Sequence, residues 1–356
     1  MKLGSLFDGI GGWPLAATKY GISPVWAAEI ESFPIEVTKK HFPSMKHLGD
    51  VTAINGTEIE PVDIVCMGSP CQDLSVAGKR EGLAGARSGL FMDAVRIIRE
   101  MREATNGKYP RFVVWENVPG AFSSNKGNDF RAVLEEITES SIPMPKSGRW
   151  ATSGMVRSSG CEVTWRVLDA QYWGVPQRRK RIFLVADFRG QCAAEILFKP
   201  ESVSGNIAES KSTVQRFAGD TKDRIRTPIW DIGDRRRVLE SIDISPTLLS
   251  KMGTGGNNVP IVRMRGGYEG EDSTPTVLAP VTKEPVTFSV GNPVRVAYVV
   301  RRLTPTECER LQGLPDGYTA GGSDSARYKA LGNGMAQPCA DFVMQGIAEV
   351  LNKKKM

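Results

Sequence analysis

Short apolar runs alternate with helical patterns along the first half of the chain, and this alternation constrains the fold more than any other feature. The runs LGSLF, SPVWAAE, DIVCMG, RFVVWEN and RIFLVAD each have the length and composition of a strand. Helical patterns lie between them, most clearly over residues 90–105 and 130–139. Strands that alternate with helices predict an α/β fold with a doubly wound, mostly parallel sheet.

The regular alternation stops near residue 188. From there to about residue 300 the chain is rich in Gly, Pro, Ser, Thr and Arg, with short β-like pieces such as PIVRMR. Helical character returns at TPTECERLQG and QPCADFVMQGIAEVL. We predict a first domain over residues 1–187, a smaller irregular β-rich domain over 188–300, and a segment over 301–356 that returns to the first domain. A disordered insertion would share the composition of the middle segment.

The charge of the chain favours a polyanionic partner without proving one. Lys and Arg total 46 against 40 Asp and Glu, which gives a net charge of +6. Basic residues are grouped, as a phosphate-contacting surface requires, although solvated faces have the same appearance. The groups are Arg178, Arg179, Lys180 and Arg181, then residues 235–237, then Arg301 and Arg302.

The cysteines and the hydropathy of the chain restrict its class further. Six scattered cysteines without a C-x-x-C pair, and only two histidines, argue against a metal site. No signal peptide is evident, and no apolar run reaches the length of about 18 residues that a membrane crossing needs. We therefore expect a cytoplasmic, reduced protein, a monomer with no membrane partner.

A glycine cluster near the N-terminus is the first candidate ligand site. In LGSLFDGIGGWPL a β-like run ends in Gly9, Gly11 and Gly12 and opens a helix, so backbone can approach a ligand there. A tight turn without a ligand would have the same sequence. The next strand ends at Glu29, where a carboxylate can bind ribose hydroxyls, and Asp50 follows at a third turn, within reach of an adenine edge. These residues predict an adenosine-containing ligand.

Two reactive side chains follow neighbouring strands. Cys71 comes directly after the run DIVCMG, whereas Cys66 lies inside it and is expected in the core. The next run, RFVVWEN, ends in Glu116 and Asn117. A thiolate and a carboxyl group at adjacent strand ends suit methylation of cytosine carbon 5, because addition at carbon 6 and stabilisation at nitrogen 3 make carbon 5 nucleophilic. Glu116 paired with an arginine for structural reasons alone is the alternative.

The string QRRKR precedes the run IFLVAD and places Arg179 and Arg181 on one side of a strand edge. Planar guanidinium groups suit a pyrimidine carbonyl or a phosphate, and solvated charge is the alternative.

An ordered set of motifs resembles the DNA (cytosine-5)-methyltransferase family over residues 3–188 and 301–346. FDGIGG is similar to its first cofactor motif, GSPCQDLS to its Pro-Cys motif and WENV to its Glu-Asn-Val motif. QRRKR, RRLTPTECERLQGLP and ALGNGM resemble the later motifs in order. The chain departs from the family pattern at Asp8, where Ala is common, and at Gly334, where Ser is common.

The resemblance implies Cys71 as nucleophile, Glu116 at cytosine nitrogen 3, and Arg181 near the cytosine carbonyl oxygen with support from Arg179. It implies S-adenosyl-L-methionine as cofactor, a flipped-out base, double-stranded DNA as partner, and a prokaryotic or phage source. A separate restriction endonuclease acting on the same site is a candidate partner. The implied cofactor contacts are Phe7, Gly9, Gly12, Glu29, Asp50, Pro70, Leu90 and Asn333.

The middle segment is the predicted target-recognition domain, because the flanking motifs account for cofactor and chemistry. Thr247 and Leu248 match a pair that the resemblance places at the base-reading loops. Nearby candidates for base contacts are Asn257, Asn258, Arg263 and Arg265, and an ordinary surface loop is the alternative. At the level of function, RNA methylation, a regulator without catalysis and a nicotinamide oxidoreductase are the competing interpretations.

Overall fold

The computed structural model describes residues 1–69, 89–190, 192–199, 245–250, 252 and 297–353, and the three short strands between 229 and 266. The strands of the main sheet begin and end as follows: Lys2–Leu6 (β1), Ser23–Ala28 (β2), Lys46–His47 (β3), Ile64–Met67 (β4), Phe112–Asn117 (β5), Ser153–Arg157 (β6), Glu162–Asp169 (β7) and Lys180–Asp187 (β8).

These strands form an eight-stranded sheet in the order β3-β2-β1-β4-β5-β8-β7-β6. Strands β1 to β5 pair in parallel, whereas β8, β7 and β6 extend the sheet by antiparallel pairing. The predicted α/β fold with a mostly parallel sheet is thus confirmed. The chain leaves β1 in one direction toward β2 and β3 and later in the other toward β4 and β5, so a ligand crevice is expected at the carboxyl ends of β1 and β4.

Eight helices accompany the sheets in the described part of the chain. They are Gly12–Lys19 (α1), Ser32–His41 (α2), Leu90–Ala104 (α3), Asn128–Thr138 (α4), Ala193–Leu197 (α5), Pro305–Gln312 (α6), Asp324–Asn333 (α7) and Gln337–Lys353 (α8). Helices α3 and α4 lie within two residues of the helices predicted at 90–105 and 130–139.

Hydrophobic cores lie on both faces of the main sheet. Val113 and Trp115 of β5 point to the core that includes residues of α3 and α4, whereas Phe112 and Val114 point to the core shared with α1 and α8. This division follows from the alternation of side chains along a strand, and it explains why the strands read as continuous apolar runs. Cys66 is fully buried in the second core, which confirms its expected structural role.

Helix α6 begins and ends where its sequence dictates. The Thr304 hydroxyl accepts a hydrogen bond from the Glu307 N–H at 3.2 Å, and the Glu307 carboxylate accepts one from the Thr304 N–H at 2.7 Å. Pro305 occupies the first turn, and Gly313 ends the helix with φ of 74°. This reciprocal capping fixes the helix that follows the middle segment of the chain.

The middle segment contributes strands Ile229–Asp231 (β9), Leu239–Ser241 (β10) and Ile261–Gly266 (β11), which join Ala297–Arg302 (β12) in an antiparallel sheet of order β10-β9-β11-β12. Other parts of the segment belong to the cores of the flanking regions. Helix α5 packs into the core beneath α8, and Leu248 and Met252 share a core with Leu303 and Leu311. The boundaries at 187 and 300, and a separate recognition domain, stay predictions.

Candidate active site

The carboxyl ends of β4 and β5 are neighbours at the crevice where the sequence predicts the reactive side chains. Strand β4 ends at Met67, and the chain continues through Gly68 and Ser69 toward the Pro-Cys segment. A Cβ on Gly68 would stand 3.6 Å from Glu116 Oε2, so this turn passes directly beside the carboxyl group. The predicted nucleophile Cys71 and the predicted cofactor contact Pro70 lie outside the described residues.

Ser69 is held in place by two residues of β5. The Trp115 indole N–H donates to Ser69 Oγ at 3.2 Å, and the Asn117 amide donates to the Ser69 carbonyl at 3.0 Å. Asn117 is 2% exposed, and its own oxygen accepts from the Val118 N–H at 2.8 Å. The neighbour of Glu116 in the Glu-Asn-Val motif thus orients the chain that leads to Cys71. Sequence reasoning gave Asn117 no role, although its place beside a strand-end carboxyl was the available signal.

Glu116 faces Arg181 across the β5–β8 pair. The Glu116 Oε1 to Arg181 Nε distance is 3.0 Å, and both side chains are largely buried. Burial raises the pKa of Glu116, while the positive charges of Arg181 and Arg179 oppose the rise. The two predicted residues are therefore brought together.

Arg179 is directed differently from Arg181 and is 1% exposed. Its guanidinium donates to the carbonyl oxygens of Leu248 at 2.9 Å and Gly332 at 3.1 Å, and also to that of Gly334. We call this arrangement the carbonyl junction. Burial lowers the pKa of Arg179 to about 9, with the positive charge of Arg181 adding to the effect, so the group stays charged at neutral pH. The junction joins β8 to the Thr-Leu segment and to the Asn333 motif.

The loop of residues 7–12, here the glycine loop, connects β1 to α1 at the carboxyl edge of the sheet. Phe7 and Gly9 adopt left-handed backbone conformations, with φ of 58° and 57°. A left-handed conformation at a residue with a side chain is strained and is typical of functional loops. A Cβ on Gly9 would meet no atom within 4 Å, so open space lies over the loop.

The Glu29 carboxylate binds the glycine loop and organises the turn after β2. One oxygen accepts from the Gly9 N–H at 2.8 Å, and the other accepts from the N–H groups of Ile30 at 2.8 Å and Glu31 at 2.9 Å. Ile30 itself is 70% exposed, which makes it the most exposed large hydrophobic side chain of the described residues. Asp50 is also exposed and caps a short turn after β3 through Thr52 N–H at 2.9 Å.

The C-terminal region closes over the glycine loop. The Gln337 side chain donates to the Gly12 carbonyl at 3.1 Å, and Met335 lies 3.4 Å from the position of a Cβ on Gly12. The Tyr318 hydroxyl donates to the Ile10 carbonyl at 2.9 Å. Asn333 is the last residue of α7 and is exposed, while Leu90 begins α3 and packs on the first core.

Asp8 is the unusual residue of the glycine loop. It is 5% exposed, and neither carboxylate oxygen has a hydrogen-bond partner in the part of the chain that the structure describes. Burial raises the pKa of Asp8 to about 7, with the charge of Glu29 contributing to the rise. The Ser5 hydroxyl opposes the rise in pKa through its proximity, although it lies outside hydrogen-bonding geometry.

No group of three or more His, Cys, Asp or Glu side chains in the described part of the chain has an arrangement that suits a metal ion. None of the helices described combines the length and apolar character that a membrane crossing requires.

The fold and the strand-end groups define an α/β enzyme with a ligand loop after β1 and an acid at the end of β5. The sequence profile of the C-5 cytosine-specific DNA methylases matches residues 1–141 and 153–349, so the chain belongs to that family. The expected enzyme class, DNA (cytosine-5)-methyltransferase, is confirmed, and so is the association with DNA methylation.

Individual relatives agree with the family, with one difference in the base that is named. Type II methyltransferase M.HhaI of Haemophilus parahaemolyticus is 28% identical over 98% of this chain and 94% of its own length. A relative from Escherichia phage P1 is named a DNA N-6-adenine-methyltransferase and is 28% identical over 99% of this chain, which spans 62% of that protein. The crystal structure of the S. pombe Dnmt2 methyltransferase covers all of this chain with a TM-score of 0.62 at 16% identity, which supports the fold.

Proposed function

We propose that the chain transfers a methyl group from S-adenosylmethionine to carbon 5 of cytosine in specific sites of duplex DNA, through a covalent adduct of Cys71 with a flipped-out base. The observation that carries this proposal is the pair of strand ends. The buried Glu116 carboxyl, bound by Arg181, lies beside the Gly68–Ser69 turn that leads to Cys71. Strands β4 and β5 are parallel neighbours, so their carboxyl ends lie at the same edge of the sheet.

The glycine loop fits the cofactor. Open space over Gly9 admits a ligand against the backbone, and Glu29 retains acceptor capacity for ribose hydroxyls. The exposed Ile30 side chain offers an apolar face for adenine, a role that the sequence prediction did not include. Phe7, Gly12, Asp50, Pro70, Leu90 and Asn333 complete the proposed set. When bound, the cofactor supplies an electrophilic methyl group.

The side chains of the chain itself activate the cytosine. The Cys71 thiolate adds to ring carbon 6, and Glu116 holds a proton at nitrogen 3, which stabilises the charge that develops there. The raised pKa of Glu116 suits this donation, because more of the carboxyl is protonated at neutral pH. Arg181 orients Glu116 and lies close to the place of the cytosine carbonyl oxygen. After methylation the carbon 5 proton leaves to a base, and elimination restores the thiolate.

Cytosine is favoured over adenine by the chemistry of the site. Methylation of an exocyclic amine needs neither a thiol that adds to the ring nor a carboxyl at ring nitrogen 3. Adenine methylation, for which the phage P1 relative is named, is therefore not proposed for this chain. Duplex DNA is favoured over RNA because more than 100 residues separate the QRRKR motif from the motif RRLTPTE, enough for a recognition domain.

Other parts of the proposal follow from the family and the sequence. We place site recognition in residues 188–300 and expect a monomer in the cytoplasm of a bacterial cell, with the restriction endonuclease of a type II system as a candidate partner. Mapping of methylated cytosines by bisulfite sequencing, in the DNA of an expressing host, identifies the site.

A trapping experiment tests the covalent step. Duplex DNA with 5-fluorocytosine at the mapped site should hold the wild-type protein as a complex that survives denaturation, because fluorine blocks the final elimination. Cys71→Ser should give no such complex and should lose nearly all methyl transfer, while its calorimetric affinity for S-adenosylmethionine stays within about twofold, since ligand contacts remain.

Cys66→Ser is the matched control, because Cys66 is buried in β4 and contributes to the core. The Cys66→Ser protein should still form the trapped complex, although its free energy of unfolding should be lower than that of the wild type. Full methyl transfer by Cys71→Ser, or trapping through another residue, contradicts the proposed mechanism.

A further inference from the structure

An open cavity of about 540 Å³ has Arg181 in its wall, and the methylation of the cytosine ring does not account for it. Arg181 also binds Glu116, so this one residue is shared by the cavity and the proposed catalytic pair. The lining residues are Asp169, Gln171, Tyr172, Arg178, Lys180, Arg181 and Thr247.

The cavity forms where the catalytic sheet meets the Thr-Leu segment. The Arg178 N–H donates to the Ser245 carbonyl at 2.9 Å, and the Ser245 N–H donates to the Pro176 carbonyl at 2.7 Å. The Thr247 hydroxyl donates to the Arg178 carbonyl. These bonds fix the wall that carries Arg178 against the segment proposed to lead into the base-reading loops.

Two of the three positive charges in the cavity wall lack an ion-pair partner among the described residues, whereas the carboxylate of the cavity is already engaged. Asp169 accepts from the Arg179 N–H at 3.1 Å and from the Gln171 amide at 2.7 Å. Arg178 and Lys180 are exposed, and neither forms an ion pair with any residue that the structure describes. A concave surface with two unpaired cations is suited to an anion.

Tyr172 adds an aromatic surface to the same cavity. It ends a short turn after β7, and 45% of the residue is exposed. An exposed ring with a polar tip suits contact with a sugar or with the edge of a base, while the cations reach a phosphate. Together these groups match one nucleotide unit of a DNA strand.

We propose that this cavity binds a phosphodiester of the strand that carries the target cytosine, within two nucleotides of the flipped base. Arg178 and Lys180 neutralise the phosphate, and Tyr172 contacts the adjoining sugar. When a base is extruded, the DNA backbone next to it rotates. A phosphate bound next to the target therefore stabilises the rotated backbone and fixes its position relative to the active site. This inference rests on the proposed action on DNA.

The first arm of the test removes the charges from the protein. Lys180→Gln and Arg178→Gln should each lower the slope of log Kd against log salt by about 1, because each removes one phosphate contact. Affinity for the mapped duplex should fall about 10-fold at low salt, and affinity for S-adenosylmethionine should not change. Lys108→Gln is the control, since exposed Lys108 lies on the loop before β5, at the opposite edge of the sheet from Glu116.

The second arm removes the charge from the DNA. A neutral methylphosphonate is placed in turn at each of the two phosphates on either side of the target cytosine. At one position the methylphosphonate should lower the affinity of the wild type about as much as Lys180→Gln lowers the affinity for unmodified DNA. The same methylphosphonate should lower the affinity of the Lys180→Gln variant little further. The inference would be overturned if the methylphosphonate and Lys180→Gln lowered the affinity for DNA independently at every position. It would also be overturned if the control variant behaved like Lys180→Gln.

Labelled methyl transfer to the unmodified duplex separates the two levels of the argument. A wild-type protein that methylates cytosine but shows no coupling between Lys180 and any of these phosphates contradicts the cavity proposal alone. A wild-type protein that methylates no cytosine contradicts the proposed function itself.

Discussion

The glycine loop and the carbonyl junction both hold irregular backbone at the carboxyl edge of the sheet, but their parts come from different distances along the chain. The Glu29 carboxylate reaches the Gly9 N–H from 20 residues away. Arg179 reaches Leu248 across 69 residues and Gly332 across 153 residues. The first arrangement is largely local, whereas the second forms only when three remote segments have already packed.

This difference indicates that the two regions serve different functions. The loop leaves open space at Gly9 and an exposed side chain at Ile30, as a site that exchanges its ligand must. The junction is closed and joins the sheet to the Thr-Leu segment. We therefore expect variants in the junction to affect stability and target contacts, and variants in the loop to affect cofactor affinity.

Replacement of Arg179 should have the largest effect on stability. Arg179→Met leaves buried carbonyl oxygens without donors and should lower the free energy of unfolding by about 3 kcal/mol or more. Arg179→Lys should recover only part of this loss, because one ammonium group cannot reproduce the planar fork. Chemical denaturation measures both variants.

Arg131→Met is the control for the junction. Arg131 pairs with Glu135 on the surface of α4 at 3.0 Å, so its loss should cost about 0.5 kcal/mol or less. Equal destabilisation by the two methionine variants would show that the junction has no special role.

Glu116 lies close to the junction, but we propose that it acts in methyl transfer, as the proton donor to cytosine nitrogen 3. Glu116→Gln should slow single-turnover methyl transfer by about 100-fold or more, since it removes the acidic proton donor. Cofactor affinity should change little. Glu135→Gln, on the surface of α4, should retain full turnover, and normal turnover of Glu116→Gln would assign the proton at nitrogen 3 to another group.

Asp8 provides a test of the glycine loop through pH. The pKa of Asp8 is about 7 in the folded protein and 3.8 for an ordinary aspartate, so the folded state binds the additional proton between these values. Stability therefore falls as pH rises from about 4 to 7. Asp8→Asn lacks this titration, and its stability relative to wild type should rise by about 2 kcal/mol between pH 5 and pH 8, within a linkage limit of about 4 kcal/mol.

Urea denaturation at the two pH values, without cofactor, measures this change. Asp341→Asn is a suitable control, because that carboxylate pairs with Lys19 at 2.6 Å and is not buried in the glycine loop. A constant difference between wild type and Asp8→Asn across the range would contradict the raised pKa of Asp8.

The smallest expected effect concerns the contact between α8 and the glycine loop. Gln337→Leu removes the donor to the Gly12 carbonyl and should weaken cofactor binding by about fivefold, the equivalent of one hydrogen bond of about 1 kcal/mol. Isothermal titration calorimetry measures this loss. Gln345 lies on the exposed face of the same helix, so the Gln345→Leu variant should bind the cofactor normally. An equal loss of cofactor affinity in both variants would indicate a general defect of α8.

Much of the site was accessible from the sequence because its parts follow strands directly. The strand that contains Glu116 near its end and the helix that begins at Leu90 were both predicted from local patterns, and the structure places them as expected. The roles of Asn117 and Ile30 were not predicted. A sequence shows that these residues stand next to a candidate, but it does not show which way their side chains point.

Residue type and local spacing determined the alternation of strands and helices, the glycine loop and the position of Glu116 near a strand end. These features depend on contacts or periodicities within a few residues, so the order of the chain contains them. Only the tertiary structure decided that Arg179 and Arg181, two residues apart, have different partners. Arg181 meets Glu116 across a strand pair, whereas Arg179 is enclosed by carbonyl groups of remote segments. A buried guanidinium is stable only where donors and acceptors match, and that match arises when the segments pack together.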